Sequence, residues 1–236
     1  MSNYKIISIE GNIGSGKSTL LENLRKYYNG NTCVIFLKEP VDDWEKIKDN
    51  QGNTMLKKFY ADQEKYSFAF QMMAYISRLT ILRDTIKEIV SENNNKQYII
   101  ITERSLYTDK QVFAKMLHDQ GKIEDVCYQI YLKWFEEFAK DFPINYSVYV
   151  KTDPTNCYNR IHKRSRDGEE VIPLAYLQDC HTYHEAFLNE NENENGNGNG
   201  NGNGNTKPLV LDGNVDIYEN KNIMDNWFNK INEFVL

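Results

Sequence analysis

The chain has 236 residues, four scattered cysteines and a formal net charge of −6 at pH 7. This length allows one sizeable core, so we predict a single domain over residues 1–236. The acidic balance argues against a general nucleic-acid-binding protein, which needs a basic surface, and favours a small-molecule partner.

The cysteines and the ends of the chain predict the compartment. The cysteines form no Cys-x-x-Cys pair, which argues against a disulfide framework and against a paired zinc knuckle. The first apolar run begins so near Met1 that we expect no signal or transit peptide, and no run reaches the length of a membrane span. We therefore predict a soluble, cytoplasmic protein.

The first predicted strand, "YKIISI" (4–9), leads into a glycine-rich loop and then into the amphipathic run "STLLENLRKYY". The loop fits G-x-x-x-x-G-K-[ST], whose main-chain N–H groups and lysine cradle a nucleoside triphosphate while the Ser hydroxyl holds Mg²⁺. A structural turn is the alternative, but a strand before the loop and a helix after it favour phosphate binding. The positions predicted to bind ATP here are Gly11, Asn12, Ile13, Gly14, Ser15, Gly16, Lys17, Ser18 and Thr19.

Four more β-branched or aromatic runs follow, each separated from the next by helical sequence. They are "CVIFL" (33–37), "QYIIIT" (97–102), "NYSVYV" (145–150) and "KPLVLD" (207–212). Strands that are apolar on both faces and alternate with helices predict an α/β fold with a five-stranded parallel sheet flanked by helices. The helices are predicted over 54–92 and near 124–140, 153–166, 173–188 and 217–234.

Polar residues follow the second and third predicted strands. Glu39 ends the second strand, and Glu103 and Arg104 end the third. The carboxyl ends of parallel strands meet at one edge of a sheet, where ligands bind. A kinase for a hydroxyl substrate needs a carboxylate there to accept a proton. Taken singly, each residue is as readily explained by an ordinary ion pair.

The long helical segment carries a half-polar face. Tyr60, Gln71, Ala74 and Arg78 lie on one side of it if the helix over 54–92 is unbroken. Gln71 offers the donor and acceptor that a nucleobase edge requires, and neighbouring Phe70 or Phe113 would stack on the ring. The alternative is that the aromatic residues are core and that Gln71 is merely solvated.

Two further segments are rich in charge or of low complexity. Arg160, Arg164 and Arg166 favour either a solvated helix face or an arginine lid that closes over phosphates. The Asn/Glu/Gly tract over residues 189–205 cannot bury enough apolar area to offset its ordering entropy. We predict that this tract is a disordered loop without a catalytic role.

Six motifs in the same order resemble the deoxyribonucleoside kinases of the deoxycytidine and deoxyguanosine kinase type. They are "GNIGSGKST", "EPVDDW", "FYADQEKYSFAFQ", "ERSLYTD", "VKTDPTNCYNRIHKRSR" and "IPLAYLQDCHTYHEAFL". The resemblance covers about residues 5–188 and resumes at "PLVLD". It implies a P-loop kinase fold, a homodimer, nucleotide salvage, ATP as the donor and Mg²⁺.

The resemblance also implies roles for individual residues. Glu39 would be the general base on the 5′-hydroxyl, with Arg104 beside it, and Ser18 and Glu103 would organise Mg²⁺. The implied substrate-binding residues are Glu39, Tyr60, Phe70, Gln71, Arg78, Arg104, Asp109, Phe113 and Glu169, while Lys17, Arg160, Arg164 and Arg166 would hold the donor phosphates. The sugar 3′-hydroxyl would bind Tyr60 and Glu169, or Glu170 if the lid carries an insertion.

The base preference follows from the same resemblance. Ala74, Arg78 and Asp109 match the residue types of the deoxycytidine and deoxyguanosine kinases. A charged Arg–Asp pair can offer a donor to a purine O6 or N7 and leaves little apolar room for a thymine methyl. Purine deoxynucleosides or deoxycytidine are therefore predicted over thymidine, with deoxyguanosine favoured.

Two other classes of protein compete with this interpretation. A nucleoside monophosphate kinase shares the phosphate loop, but its acceptor is a phosphate. Glu39 would repel that acceptor by ~4 kcal/mol for unit charges ~4 Å apart at an effective dielectric of ~20. A GTPase-like switch would need a guanine-reading Asn-Lys-x-Asp, whereas Asn95-Lys96 continues as Gln97-Tyr98.

Overall fold

Five parallel strands form the central sheet. The computed structural model describes residues 3–92, 95–164, 168–169, 171–189, 207–217 and 222–235. The strands are β1 (Tyr4–Glu10), β2 (Val34–Leu37), β3 (Tyr98–Glu103), β4 (Tyr146–Lys151) and β5 (Leu209–Asp212). Their order across the sheet is β2-β3-β1-β4-β5, and every pairing is parallel. The predicted α/β class with a five-stranded parallel sheet is confirmed.

Helices connect consecutive strands. They are α1 (Lys17–Tyr27), α2 (Val41–Trp44), α3 (Met55–Ala61), α4 (Gln63–Ser91), α5 (Leu106–Thr108), α6 (Lys115–Asp119), α7 (Asp125–Phe138), α8 (Pro154–Arg164), α9 (Leu174–Asn189) and α10 (Asn222–Val235). A π-helical segment, Asp109–Ala114, joins α5 to α6, and a 3₁₀ turn, Ala139–Asp141, follows α7. A described helix corresponds to each predicted helical segment, and the segment over 54–92 contains two, α3 and α4. The helical residues of α2 and from α5 to α6 were not predicted.

The prediction of one continuous helix over 54–92 is wrong, because the helix is interrupted at Asp62. Asp62 has φ −152° and ψ 85°, which is not helical, and its side chain accepts a hydrogen bond from the Lys65 N–H at 3.1 Å. An aspartate in this position satisfies one of the free N–H groups at the start of the next helix. Tyr60 therefore lies on α3, whereas Gln71, Ala74 and Arg78 lie on α4.

The sheet separates two hydrophobic clusters. Along β1, Ile6 packs in the cluster with α4 and α9, whereas Ile7 and Ile9 pack in the cluster with α1 and α10. Successive strand residues point to opposite faces, so a strand covered on both sides must be apolar at nearly every position. This explains why the strand sequences read as continuous apolar runs. Because all five strands are parallel, their carboxyl ends lie at the same edge of the sheet.

Some of the predicted features lie outside the described residues. Asn189 is the last residue of α9, and positions 190–205 of the low-complexity tract are not among the described residues. Arg166 and Glu170 also lie outside them. Within the described part of the chain, no helix combines the length and the apolar character needed to cross a bilayer.

The packing of α10 on the sheet makes a stability prediction. Ile231 is 2% exposed in the cluster with Ile7 and Leu24, whereas the neighbouring Lys230 is exposed. Ile231→Ala leaves a cavity and is expected to lower the free energy of unfolding by about 2–5 kcal/mol. Lys230→Ala, the matched control, is expected to change it by less than about 0.5 kcal/mol. Urea unfolding followed by circular dichroism measures both, and equal effects would show that α10 does not contribute to the core.

Candidate active site

The glycine-rich loop connects β1 to α1. Gly16 precedes α1 with φ 102°, a left-handed conformation that glycine adopts without strain. Gly11 has φ 144°, and a Cβ there would lie 2.7 Å from both the Ser15 Oγ and the Val150 carbonyl oxygen. The loop therefore turns sharply against β4, and it presents the N-terminus of α1 to the cleft. Loop residues 13–19 line this cleft.

Asn12 holds the loop in place from beneath. Its side-chain amide donates to the Leu177 carbonyl at 2.8 Å, and its Oδ1 accepts the Ile13 N–H at 2.8 Å. Gly11 and Asn12 are absent from the cleft wall. Of the nine loop positions predicted from the motif, these two thus shape the loop, and the other seven face the cleft.

Lys17 extends across the loop. Its Nζ donates to the Asn12 carbonyl at 2.6 Å, and the residue is 4% exposed. Burial lowers the pKa of the Lys17 ammonium to about 7, and the positive charge of Arg104 acts in the same direction. Glu103 and Glu39 raise this pKa but do not compensate. An additional anionic group in the cleft would therefore raise the pKa of Lys17 and favour the charged ammonium.

Ser18 and Glu103 meet where α1 begins. The Ser18 hydroxyl donates to Glu103 Oε1 at 2.5 Å, and Glu103 ends β3 beside the loop. A hydroxyl and a carboxylate oxygen are ligands that Mg²⁺ prefers. The two residues predicted from the loop and from the strand end are therefore neighbours in space. Their oxygen atoms have the chemistry that a magnesium site requires.

The Glu39 carboxylate lies between two guanidinium groups. Arg104 Nη1 donates to Glu39 Oε1 at 2.6 Å, and Arg78 Nη2 donates to the same oxygen at 3.1 Å. The Glu39 side chain is 16% exposed, while the Arg78 and Arg104 side chains are 7% and 5% exposed. Glu39 Oε2 accepts no hydrogen bond from the residues that the structure describes. One carboxylate oxygen is thus held and the other is left for a ligand.

The two arginines keep Glu39 ionised. Burial by itself would raise the pKa of the Glu39 carboxyl, but Arg104 first and then Arg78 and Lys17 lower it to about 2. An ion pair that is removed from water gains more Coulomb energy than one at the surface, and this gain outweighs the desolvation here. Glu39 is therefore held as a carboxylate, the form that can accept a proton.

Arg104 reaches Glu39 because its backbone turns sharply at the end of β3. It is the single non-glycine residue with positive φ in the described part of the chain, at 62°. The left-handed conformation costs about 1–2 kcal/mol for a residue with a Cβ. It is held by the Arg104 N–H on the Ile9 carbonyl at 3.0 Å and by the Thr102 hydroxyl on the Arg104 carbonyl at 2.8 Å. Strain of this kind is concentrated at functional sites.

Arg78 on α4 joins three elements. Besides Glu39, it donates from Nε to Asp109 Oδ2 at 2.9 Å and from Nη1 to the Glu103 carbonyl at 2.5 Å. Asp109, 2% exposed, is the first residue of the π-helical segment. π-helical turns are rare and frequently occur at functional sites. The contact between Arg78 and Glu39 was missed from the sequence, because a spacing of 39 residues across two elements gives no local signal.

Aromatic rings and one amide form the end of the cleft beyond Arg78. Phe70 stacks on Phe59 with ring centroids 4.5 Å apart, and Trp44 packs against the edge of Phe70 at 5.7 Å. The Arg104 guanidinium lies 5.1 Å from the ring centroid of Phe113. Gln71 lines the cleft at 2% exposure, and its side chain makes no hydrogen bond with the described residues. A flat ring with polar edges fits this slot.

Tyr60 and Glu169 face the middle of the cleft. Burial raises the pKa of Tyr60 well above its usual value, with Glu169 as the next cause. Tyr176, which sequence reasoning missed, packs edge-on against Tyr60 with ring centroids 6.0 Å apart. Arg164 donates a hydrogen bond to Glu169. The two residues assigned separately to phosphate and to sugar are thus an ion pair in this structure.

Arg160 lies at the opposite end, beside the loop. It donates to the Ser15 carbonyl at 3.3 Å and to the Val215 carbonyl at 3.4 Å, so it connects α8 to the residues after β5. Ile217, Met224 and Trp227 also line this end of the cleft, and none was singled out from the sequence. The only sequence signal for Met224 and Trp227 is the apolar face of α10, which equally describes a core helix.

The aromatic end and the end beside the glycine-rich loop belong to one cleft of about 680 Å³, which follows the carboxyl ends of β1, β2 and β3. Its walls carry Lys17, Arg160 and Arg164 near the loop, Glu39 and Arg104 in the centre, and Gln71, Phe70 and Phe113 at the far end. A volume of this size accommodates small-molecule ligands rather than a polymer. The predicted site residues that the structure describes are therefore brought together, apart from Gly11 and Asn12.

Comparison with known proteins agrees with this geometry. The family model described as deoxynucleoside kinase matches residues 7–236. A probable deoxycytidine kinase of fowlpox virus is 39% identical over 194 residues, which is 81% of this chain and 74% of the viral protein. Human mitochondrial thymidine kinase 2 is 32% identical over 185 residues, covering 78% of this chain and 64% of the human protein. Mitochondrial deoxyguanosine kinase of Xenopus laevis is 28% identical over 200 residues, covering 79% and 74% of the two chains.

These relatives carry names for three different bases, so they agree on the reaction and leave the base undecided. The family model spans nearly the whole chain, including the loop, the carboxylate at the end of β2 and the arginines of α8. The chain belongs to the deoxynucleoside kinase family and is a deoxyribonucleoside kinase.

Proposed function

We propose that this enzyme transfers the γ-phosphoryl group of ATP to the 5′-hydroxyl of a deoxyribonucleoside and so serves nucleotide salvage. The single observation that carries the proposal is the partly buried Glu39 carboxylate, which is held through one oxygen by Arg104 and Arg78. Its second oxygen accepts no hydrogen bond from the described residues and would be the proton acceptor. A general base placed at the attacking hydroxyl is typically worth about 10²–10⁴-fold in rate. We also propose that residues 1–236 form one kinase domain.

The proposed positions of the donor follow from the charges near the loop. The N-terminus of α1 and Lys17 would hold the triphosphate, and Arg160 and Arg164 would neutralise charge on the transferring group. Arg166 belongs to the same proposed set by sequence. Ser18 and Glu103 would hold Mg²⁺, which supplies Lewis-acid stabilisation of the phosphoryl oxygens when it is bound. The Ser18 hydroxyl and the Glu103 carboxylate are the oxygen ligands that fit this ion.

The proposed position of the nucleoside runs from Glu39 to the aromatic end of the cleft. Tyr60 and Glu169 would hold the 3′-hydroxyl, and Gln71 would pair with the base between Phe70 and Phe113. Asp109 and Arg78 form a charged pair that would lie beside the base and leave little apolar room for a thymine methyl group. These residues support deoxyguanosine as the favoured substrate, with deoxyadenosine or deoxycytidine also accepted.

A nucleoside monophosphate kinase is the alternative, and the charges at the acceptor end weigh against it. Arg78 and Arg104, the cations nearest this position, are already paired with Asp109 and Glu39. A phosphate acceptor would have to displace a buried carboxylate from its guanidinium partners, which leaves a buried charge uncompensated. A neutral hydroxyl meets no such opposition and gains a proton acceptor.

We propose that the enzyme is a homodimer and that α7 contributes to the interface. Val126, Ile130, Trp134 and Phe138 recur every four residues on α7 and are 60%, 42%, 47% and 39% exposed. Ile76 on the neighbouring α4 is exposed as well. Contiguous apolar surface of this kind marks protein contacts. A second copy of the chain would cover the stripe symmetrically.

We further propose that the reaction takes place in the cytoplasm. All four cysteines are unpaired thiols, and Cys157 and Cys180 are buried. Free thiols persist in reducing compartments. The mitochondrial names among the relatives make the matrix the competing location.

The acceptor can be tested directly. Purified enzyme, labelled ATP and Mg²⁺ are incubated with each of the four deoxynucleosides and, in parallel, with the four monophosphates. The proposal predicts labelled 5′-monophosphates, with deoxyguanosine giving the highest kcat/KM and with the monophosphates inert. Transfer to monophosphates alone would replace the proposal by the monophosphate kinase alternative.

Glu39→Gln tests the proton acceptor. The amide retains the size of the side chain and its hydrogen bond from Arg104, so nucleoside binding is expected to persist. Loss of the base is expected to lower kcat by about 10²–10⁴-fold. Single-turnover kinetics and equilibrium binding separate the two effects. Glu45→Gln, the same change at an exposed carboxylate that follows α2 outside the cleft wall, is the matched control. Unchanged kcat in Glu39→Gln would remove Glu39 from the mechanism.

The interface is tested by light scattering after size exclusion. Introducing Trp134→Glu together with Ile130→Glu is expected to convert a dimer to a monomer, because two like charges would face their symmetry mates in a dry interface. Ile47→Glu, at a similarly exposed position away from α7, is expected to leave the mass unchanged. A monomeric unmodified chain would contradict the proposed dimer.

A further inference from the structure

The turn at Arg104 lies directly beside the end of β1. Strands β1 and β3 pair with Glu103 opposite Ile9, so the next residue of each strand, Arg104 and Glu10, are neighbours. The Arg104 N–H donates to the Ile9 carbonyl at 3.0 Å, and its Nη2 donates to the Gly11 carbonyl at 3.5 Å. Arg104 therefore contacts the main chain on both sides of Glu10.

Glu10 carries a buried carboxyl group to which the proposed mechanism gives no role. The residue is 0% exposed, and its Oε2 accepts a hydrogen bond from the Thr108 hydroxyl at 2.5 Å. Its Oε1 is buried and forms no hydrogen bond with the residues that the structure describes. An apolar side chain of the same length would avoid the cost of burying an incompletely paired polar group. The stability of the fold therefore does not explain an acid at this position.

Two hydroxyl groups connect Glu10 to the residue that follows Arg104. Because the Thr108 hydroxyl donates its proton to Glu10, the Ser105 hydroxyl is the donor in its 3.1 Å contact with Thr108 Oγ1. Ser105 Oγ also accepts the Thr108 N–H at 3.2 Å, which caps α5. Consecutive hydrogen bonds in a buried chain polarise and strengthen one another. Ser105 is thereby tied to β1.

The left-handed conformation of Arg104 needs support on both sides. Its φ of 62° is strained for a residue with a Cβ, and such conformations persist only where the surrounding structure enforces them. On the preceding side, the Thr102 hydroxyl donates to the Arg104 carbonyl at 2.8 Å. On the following side, the chain from Ser105 through Thr108 to Glu10 holds the backbone. Relaxation of this turn would aim the Arg104 side chain in another direction.

The direction of Arg104 decides its contact with Glu39. Arg104 Nη1 donates to Glu39 Oε1 at 2.6 Å, whereas the buried Nε of Arg104 forms no hydrogen bond with the described residues. We infer that Glu10 is a positioning residue for phosphoryl transfer, which holds the turn that aims Arg104 at Glu39. It acts through Thr108 and Ser105. This role rests on the proposed function of Glu39 as the proton acceptor.

Thr108→Val tests the connection, because valine has nearly the same shape and lacks the hydroxyl donor. It is expected to lower kcat by about 10²-fold with each accepted nucleoside, as misplaced catalytic groups do. Thr108→Ser restores the hydroxyl and is expected to restore most of kcat. Thr108 also precedes Asp109, so the base dependence is measured as well. A change confined to KM for particular bases would overturn the inference in favour of an effect on base binding.

Ser8→Ala is the matched control for the loss of a buried hydroxyl. Ser8 lies two residues before Glu10 on the same face of β1, is 0% exposed and contacts the Ser147 hydroxyl at 3.2 Å. It has no contact with the turn at Arg104 among the hydrogen bonds of the described residues. Its kcat is expected to match that of the unmodified enzyme. A loss equal to that of Thr108→Val would contradict a specific role of the chain to Glu10.

The variant pair Glu10→Met and Thr108→Val separates positioning from stability. Thr108→Val alone leaves Glu10 Oε2 buried without its donor and is expected to destabilise the fold. Adding Glu10→Met replaces both partners by apolar groups, so resistance to urea is expected to return toward that of the unmodified enzyme. In that double variant kcat is expected to stay low, because the turn is still not held. Recovery of kcat together with stability would refute the positioning role.

A double-mutant cycle identifies the residue through which Thr108 acts. Arg104→Met removes the guanidinium that the turn aims at Glu39. In this background Thr108→Val is expected to have little further effect on kcat, because the two changes interrupt the same contact. Losses of kcat that multiply independently would show that Thr108 and Glu10 act elsewhere, and would overturn the inference.

The charges that face Glu39 define the expected pH dependence. Burial raises the pKa of Glu39, and Arg104 is the first of the cations that lower it. A displaced Arg104 therefore leaves Glu39 with a higher pKa. A displaced Asp109 would have the opposite effect, because the two carboxylates repel each other. The remaining groups that face Glu39 are the cations Arg78 on α4 and Lys17 on α1, and Tyr60 on α3, whose own pKa is raised by burial.

The acid limb of kcat reports this pKa and does not depend on the amount of active enzyme. In Thr108→Val the limb is expected to move to higher pH, since a base with a raised pKa becomes protonated sooner as the pH falls. In Ser8→Ala it is expected to stay in place. A limb that is unmoved in Thr108→Val, or that moves to lower pH, contradicts the inference.

Glu39→Gln distinguishes this inference from the proposed function. Full turnover in Glu39→Gln would remove the base itself, and with it both statements. Impaired turnover in Glu39→Gln, together with normal kcat and an unmoved acid limb in Thr108→Val, would leave the proposed function standing and refute the positioning role of Glu10 alone.

Discussion

The site depends on the burial of one carboxylate among cations. Glu39 is ionised although its side chain is only 16% exposed, and removing one partner from a buried pair of this kind typically costs about 3–5 kcal/mol. Several features of the fold serve this pairing. The left-handed turn at Arg104 directs one guanidinium back toward β2, and the length of α4 carries Arg78 to the same oxygen. The π-helical segment then supplies Asp109, which balances the second arginine.

The cleft divides into regions of different chemistry along its length. Near the loop, backbone N–H groups, Lys17 and Arg160 favour anions, whereas the far end offers rings and the amide of Gln71. Glu39 lies between the two regions. The side-chain charge therefore changes from positive near the loop to negative at Glu39, where a phosphoryl group would meet an acceptor. This arrangement suits a transfer reaction in which catalysis consists mainly of positioning and charge neutralisation. The parallel sheet makes it possible, because three strands end at the same edge.

The ion pair between Arg164 and Glu169 shows how closely the two regions are connected. Arg164 ends α8 on the phosphate side, and Glu169 faces Tyr60 on the nucleoside side. A ligand that engages either residue must compete with the other. Asn12 illustrates the opposite case, in which a residue of the phosphate-binding motif serves the fold, because its side chain is hydrogen-bonded to α9.

Sequence by itself determined the features that arise from local patterns. Continuous apolar runs indicated five strands covered on both faces, and the glycine spacing indicated the loop between β1 and α1. The positions of Glu39 and Glu103 directly after strands indicated that both belong to one candidate site. Tertiary structure decided which side chains meet. The shared oxygen of Glu39 and the wall supplied by Trp227 depend on packing between elements distant in sequence. The break at Asp62 is a local capping feature that apolar periodicity does not reveal. Periodicity reports which face of an element is buried, but not which residue of another element lies opposite, and that pairing sets the chemistry here.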